Sequence, residues 1–281
     1  MNPIRHSIAA MGQGLGPSVL DQCHALFDEE QSALARAVPV AARDLAYGPH
    51  ERHRLDLYGA AEGAPKPVVL FVHGGGFVLG DKGDTSWANA AVGRMAAQRG
   101  WIGAVMNYRL APDHLWPAGS QDVAAAVDYL RGAVAEHGGD PDRIVVMGTS
   151  AGAVHVSGFL KLRPDHGSLV RGAVLLSGLY GFTPIDPKDE RYYGSDDYAA
   201  KAPLDAVVET QLPLLVACAQ HDPARFQAEF LGLMQARLAR HGTMPRSVLL
   251  PGHNHYTMAM HLGTSDRRLE EEIAAFLEDI L

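Results

Sequence analysis

From about residue 50 onward, short apolar runs alternate with helical stretches. The runs are "HRLDLYG", "PVVLFVHGGG", "WIGAVMNYRL", "DRIVVMGTS", "RGAVLLSG", "LPLLVACAQ" and "RSVLLPG". Between them stand "WANAAVGRMAAQRG", "SQDVAAAVDYLRGAVAEHG", "AGAVHVSGFLKLR" and "PARFQAEFLGLMQARLARHG", and "SDRRLEEEIAAFLEDIL" closes the chain. Brief apolar runs bounded by turn residues read as buried strands, and apolar positions recurring at three and four read as helices. Strands joined through helices make right-handed crossovers, so the pattern predicts an α/β fold with a mostly parallel sheet covered on both faces. In such sheets ligands sit beyond the carboxyl ends of the strands. At 281 residues and 47% hydrophobic content, the chain suits one large α/β domain better than two small ones, since such folds reach about 250 residues undivided.

Two segments depart from the alternation. The first 40 or so residues contain "SVLDQCHALFDEEQSALARAV", a helix by its period, which Pro39 stops. Residues 179–207, "LYGFTPIDPKDERYYGSDDYAAKAPLDAV", are rich in Pro, Asp and Tyr. A connection that long is usually functional or disordered.

Chemistry gathers where strands end. "GTSAG", residues 148–152, lies between "RIVVM" and a helix. A serine presented on a sharp strand-to-helix turn needs neighbours with almost no side chain, and Gly148, Ala151 and Gly152 satisfy this. The following helix aims its free N–H groups at Ser150, an arrangement suited to a developing oxyanion. "HGGGFVLG", residues 73–80, follows "VVLFV" with three glycines in succession. A backbone that turns N–H groups toward a substrate oxygen needs such residues, whereas a plain turn would lose entropy by carrying them. The oxyanion donors are therefore expected to be the N–H groups of Gly75, Gly76 and Ala151.

Asp222 in "LPLLVACAQHDPARF" follows an apolar run and precedes a proline-started helix. It could cap that helix or complete a Ser-Asp-His order along the chain. "PGHNHYTMAMH" offers His253, His255 and His261. One neutral imidazole must accept the Ser150 proton while its other nitrogen is held by a carboxylate. His255 is the expected residue, standing before Tyr256 at the onset of a helix, whereas His253 is close to the Pro251-Gly252 turn and His261 lies further on.

Composition narrows the partners. A net charge of −8, with no basic stripe, argues against nucleic acid. No run approaches the roughly 18 apolar residues of a membrane span, and the N-terminus has no apolar signal region. Cys23 and Cys218 read as two reduced core thiols, which predicts a cytoplasmic protein. The 14 histidines show no convincing metal spacing, so no metal is expected.

With "HGGGFVLG", "NYRLAP", "GTSAGA", "HDP" and "GHNHY" in that order, the chain from about residue 50 to its end resembles an α/β-hydrolase of the carboxylesterase group. It is most similar to hormone-sensitive-lipase-like esterases and the neighbouring arylformamidase-like branch. Thr149 stands where the first branch commonly carries an acid, and "HDPARF" lacks the further acids often found there; both turn the resemblance toward the second. The resemblance implies a mostly parallel eight-stranded sheet flanked by helices, residues 1–281 forming a single domain. It implies a small lid made by segments 1–40 and 179–207, the latter an insertion after strand six. It also implies a serine hydrolase acting through an acyl-enzyme on esters of small to medium, partly apolar substrates, with Ser150, Asp222 and His255 as the triad and no metal or organic cofactor. The histidine of this family usually precedes an aromatic residue, as His255 precedes Tyr256.

Phe77, Trp87, His155, Leu179, Tyr180, Tyr192 and Tyr193 are candidates to line the pocket, or equally to pack in core and lid. Tyr108 and Arg109 of "NYRLAP" are expected to buttress the oxyanion loop. An arylformamidase or other amidase would use the same triad. A binding protein without turnover would be expected to have lost Ser or His, and both are present. A monomer or homodimer is expected.

Overall fold

The computed structural model describes residues 3–59, 61–83 and 86–281. Eight strands form one sheet: β1 (Ala42–Ala46), β2 (Arg54–Tyr58), β3 (Lys66–Val72), β4 (Ile102–Met106), β5 (Gly139–Thr149), β6 (Gly172–Leu176), β7 (Leu214–His221) and β8 (Arg246–Asn254). Their order is β1-β2-β4-β3-β5-β6-β7-β8. Both pairings of β2 are antiparallel, and from β4 through β8 every pairing is parallel. The fold is that of the α/β-hydrolases.

The helices are α1 (Pro3–Met11), α2 (Pro17–Ala37), α3 (Trp87–Gln98), α4 (Ala118–Ala133), α5 (Ala151–Leu162), α6 (His166–Leu169), α7 (Glu190–Tyr193), α8 (Tyr198–Lys201), α9 (Leu204–Glu209), α10 (Ala224–His241), α11 (Thr257–Met260) and α12 (Arg268–Ile280). The strands alternate their side chains between two cores, as a pleat requires. Val68, Leu70 and Val72 of β3 pack with Val127 and Leu130 of α4, Val156 and Phe159 of α5 and Leu233 of α10. Val69 and Phe71 face the other way, into a core with Val92 and Met95 of α3 and Ile273, Phe276 and Leu277 of α12. Burying each such side chain contributes about 2 kcal/mol.

β1 is the strand that the apolar runs do not announce. Its "ARDLA" is short, largely exposed and interrupted by a bulge. Its place depends on Lys82, fully buried, whose Nζ lies 2.8 Å from Asp44 Oδ1 and 3.1 Å from Asp56 Oδ1.

Between β3 and β5 the direction of strand addition reverses, since β4 lies on one side of β3 and β5 on the other. That reversal opens a crevice beyond the carboxyl ends of the two strands. "HGGG" leaves β3 there and "GTSAG" leaves β5 there. The connection after β6 carries three short helices, α7 to α9. The Glu229 carboxylate, fully buried on α10, ties its base by accepting from the N–H groups of Tyr180, Gly181, Phe182 and Thr183 at 2.7–3.0 Å.

At the N-terminus, α1 and α2 pack beside the segment that follows β8. Gly16 N–H donates to Tyr256 Oη at 2.9 Å, and Gln31 Nε2 donates to the carbonyls of Met260 and Leu262 at 2.8 Å. The first two residues of the expected segment 1–40 lie outside the described residues. No helix among the described residues is long and apolar enough to cross a membrane.

Candidate active site

Ser150 sits between β5 and α5 with φ 54° and ψ −122°, a left-handed conformation that costs a non-glycine residue free energy. The strain is held by close packing. A Cβ on Gly148 would lie 2.4 Å from the Gly152 carbonyl carbon, and one on Gly152 would lie 2.0 Å from the Val72 carbonyl oxygen. Gly148 is therefore a steric requirement of folding the start of α5 back against the end of β5, and Gly152 of bringing that turn against the end of β3. Ser150 N–H donates to the Leu176 carbonyl at 2.9 Å, which anchors the turn to β6.

His255 Nε2 lies 2.9 Å from Ser150 Oγ, and its Nδ1 lies 2.7 Å from Asp222 Oδ1. The three side chains form one continuous relay from residues 105 and 33 positions apart. Asp222 does not cap α10: Pro223 occupies the N-cap place, with no side-chain cap there. The carboxylate is fully buried, which by itself pushes its pKa up. The hydrogen bond and charge of His255, with the Ser177 hydroxyl and the Ala219 N–H, outweigh burial and leave it below the ordinary value.

His255 is held from behind. Asn254 N–H donates to Thr257 Oγ1 at 3.0 Å while Thr257 N–H donates to Asn254 Oδ1 at 3.1 Å, and the Phe226 ring packs 4.2 Å from the imidazole. The other two histidines of the segment are occupied elsewhere. His253 pairs with Asp266 and Thr257 at 3.3 and 3.1 Å. His261 is fully buried, its Nδ1 donating to the Thr257 carbonyl at 2.6 Å.

The glycine loop after β3 adopts positive φ at Gly75 (118°), Gly76 (57°) and Phe77 (69°). Among the described residues, none accepts a hydrogen bond from the N–H of Gly75, Gly76 or Ala151. A Cβ on Gly74 would lie 3.2 Å from Ser150 Cβ, which measures how closely the loop passes the serine. Tyr108 supports the loop, its hydroxyl lying 3.0 Å from the His73 carbonyl and 3.2 Å from that of Gly74. Arg109 departs from expectation: its guanidinium binds Asp122, and Arg52 is the arginine that reaches the loop, donating to the Gly80 carbonyl at 2.7 Å.

Of the candidate lining residues, Phe77, Leu179, Tyr192 and Tyr193 meet in one apolar cluster with Ala151, Val154 and Phe226. Phe77 and Tyr192 stack at 4.5 Å, nearly parallel. His155 closes the back, edge-on to both rings, with Nδ1 3.3 Å from Tyr192 Oη. Two candidates lie elsewhere. Trp87 belongs to the cluster under α1 and α2, with its Nε1 donating to Asp28 at 2.9 Å. Tyr180 turns into the core beneath the sheet with Val207 and Leu233. Aromatic character suggests both, but the start of α3 places Trp87 against α2, and the turn after β6 sends Leu179 and Tyr180 to opposite sides, neither of which residue type reveals. Trp116, Phe226 and Ser177 were not singled out from sequence. Phe226 could have been, standing one helical turn past Asp222.

Comparison with known proteins agrees with this architecture. The BD-FAE family matches residues 55–223. A probable isoprenylcysteine alpha-carbonyl methylesterase of Arabidopsis thaliana is 39% identical over 116 residues, 41% of this chain and 24% of that protein. Esterase LipQ of Mycobacterium tuberculosis is 28% identical over 263 residues, 83% of this chain and 61% of that protein. The chain thus spans about a quarter of the length of the methylesterase relatives it matches. A bacterial heroin esterase superposes with a TM-score of 0.73 at 23% identity, covering 100% of this chain and 98% of the other. An esterase of Pyrobaculum calidifontis superposes with 0.70 at 23%, covering 98% and 96%. At that identity the likeness establishes the fold.

Proposed function

The chain belongs to the BD-FAE family, and from that premise we propose that it hydrolyses carboxylic esters through an acyl-enzyme formed on Ser150. The observation that carries the reading is the relay from Ser150 Oγ through His255 to Asp222, at 2.9 and 2.7 Å. Esterase names among the relatives and structural neighbours support it.

In this reading His255 Nε2 takes the Ser150 proton as Oγ attacks the ester carbonyl, and Asp222 keeps the other ring proton on Nδ1 and stabilises the imidazolium. The N–H groups of Gly75, Gly76 and Ala151, which find no acceptor among the described residues, take the oxyanion. Preset dipoles of this kind need little reorganisation when charge develops. His255 then protonates the departing alcohol, and water, deprotonated by the same imidazole, releases the acid and restores Ser150. The substrate is a small to medium, partly apolar ester that meets the wall of Phe77, Leu179, Tyr192, Tyr193 and Phe226. Segments 1–40 and 179–207 serve as the lid, the first through α2 beside Tyr256 and the second through Tyr192 and Tyr193 beside Ala151. A cytoplasmic setting accords with Cys23 and Cys218, both free and buried.

The test compares hydrolysis of short- and medium-chain p-nitrophenyl esters and of N-formylkynurenine by wild type, Ser150→Ala, His255→Ala and His253→Ala. Ester turnover should fall by about three to six orders of magnitude in the first two variants and persist in the third, whose histidine serves the Asp266 pair. Turnover of the formamide alone would favour an amidase. Ser150→Ala as active as wild type would remove the nucleophile from the scheme.

A further inference from the structure

Asp222 has a second oxygen that the relay does not use. Oδ1 faces His255, while Oδ2 accepts from Ser177 Oγ at 2.6 Å, Ala219 N–H at 2.7 Å and Cys218 Sγ at 3.2 Å. Ala219 and Cys218 belong to β7, the strand that also leads into Asp222, and a thiol is a weak donor. Ser177 comes from a different strand, immediately after β6, and its N–H donates to the Ala217 carbonyl at 2.8 Å.

The backbone of Ser177 makes the contact more telling. Its φ is 47° and it is 2% exposed. That left-handed conformation is adopted freely by glycine and at a penalty by serine. Gly178 follows directly, where a Cβ would lie 2.8 Å from the Tyr180 ring. The turn therefore has a glycine where packing forbids a side chain, and a serine where glycine would relieve strain. What serine adds at that position is one buried hydroxyl, pointed at the carboxylate.

We propose that Ser177 is a positioning residue of the hydrolytic site: its hydroxyl grips Asp222 Oδ2 from β6 and so keeps Oδ1 turned to His255. The inference rests on the reading of Ser150, His255 and Asp222 as the triad. With the hydroxyl gone, Asp222 keeps the Ala219 N–H and the weak thiol, both on its own strand, and its carboxylate can turn. An Oδ1 that swings away from His255 lengthens or loses its bond to Nδ1–H, and the ring is then no longer held in the tautomer and orientation that present Nε2 to Ser150. The other groups facing this pair do not compete. The Cys218 thiol and the Tyr180 phenol are pushed well up, chiefly by burial, and stay neutral. The Glu229 carboxylate is taken up by backbone N–H groups, and the Phe226 ring carries no charge.

Ser177→Gly and Ser177→Ala separate this role from a structural one, because glycine suits the backbone and should fold at least as well as wild type. For Ser177→Gly the expected result is a fall in kcat of about tenfold with KM little changed. The downfield proton signal of the His255 Nδ1–H to Asp222 hydrogen bond, followed by NMR in the protein without substrate, should broaden or move upfield of its wild-type position. Wild-type kcat and an unmoved Nδ1–H signal in Ser177→Gly would overturn the inference. The NMR signal decides the point even if wild type hydrolyses no ester, so failure of the functional reading and failure of this inference are separable.

Discussion

Replacing Asp222 by asparagine keeps shape and volume and exchanges a double acceptor for one acceptor and one NH2 group. Three donors converge on Oδ2: the Ser177 hydroxyl, the Ala219 N–H and the Cys218 thiol. The amide oxygen must therefore take that side and the NH2 must face His255. Facing a donor, Nδ1 becomes an acceptor and the ring proton moves to Nε2, which then points N–H at Ser150 Oγ and cannot take its proton. Turning the amide over would restore the tautomer but place NH2 against Ala219 N–H and the serine hydroxyl. The hydroxyl can rotate to accept from the NH2, but the Ala219 N–H is left buried and unpaired, which costs about 2–3 kcal/mol. The negative charge is also gone. At about 4 Å and an effective dielectric near 20 its attraction for the imidazolium is worth about 4 kcal/mol. The two effects together amount to about 6 kcal/mol, so kcat/KM for a p-nitrophenyl ester at neutral pH should fall by about four orders of magnitude. Thermal unfolding should remain cooperative, since no volume is lost. A folded Asp222→Asn protein retaining more than a tenth of wild-type kcat/KM would refute the tautomer argument.

Acid should destabilise the fold through His73, His155 and His261. Burial pushes these down to about 4, 3 and 3, and each has a buried Nε2 with no partner among the described residues. A folded pKa below the unfolded value of about 6.5 means stability is full above that pH and is lost as pH falls through the folded value. Each group contributes about 1.4 kcal/mol per pH unit in that window, so urea midpoints should drop steadily from about pH 6 to 4; a flat profile would contradict the burial of these rings. Gly152→Ala should fail to give a folded protein or lose more than about 3 kcal/mol, because its Cβ meets the Val72 carbonyl at 2.0 Å. Gly132→Ala, in a helix with open space around the added methyl, should instead gain up to about 1 kcal/mol by urea titration.

The alternation of apolar strands and amphipathic helices was sufficient to read the sheet, its covered faces and the edge at which chemistry collects, because burial on two faces demands near-continuous apolar runs. The serine turn was legible for a similar reason. Gly148 and Gly152 carry a steric constraint that no other residue type meets. Even the Ser-Asp-His order could be followed along the chain. Other features were decided by tertiary structure. β1 has no apolar signature and rests on a buried lysine reached from residue 82. Tyr180 and Tyr192 look alike in sequence, yet one enters the core beneath the sheet and the other stacks on Phe77. Ser177 reads as a polar residue after a strand until β6 and β7 pair and bring its hydroxyl to Asp222. Local sequence determines which elements form and where the chain must turn tightly, since those depend on a residue and its near neighbours. Which side chains share a site depends on strand register and on the direction each turn sends its residues, and these are set only when the whole sheet is assembled.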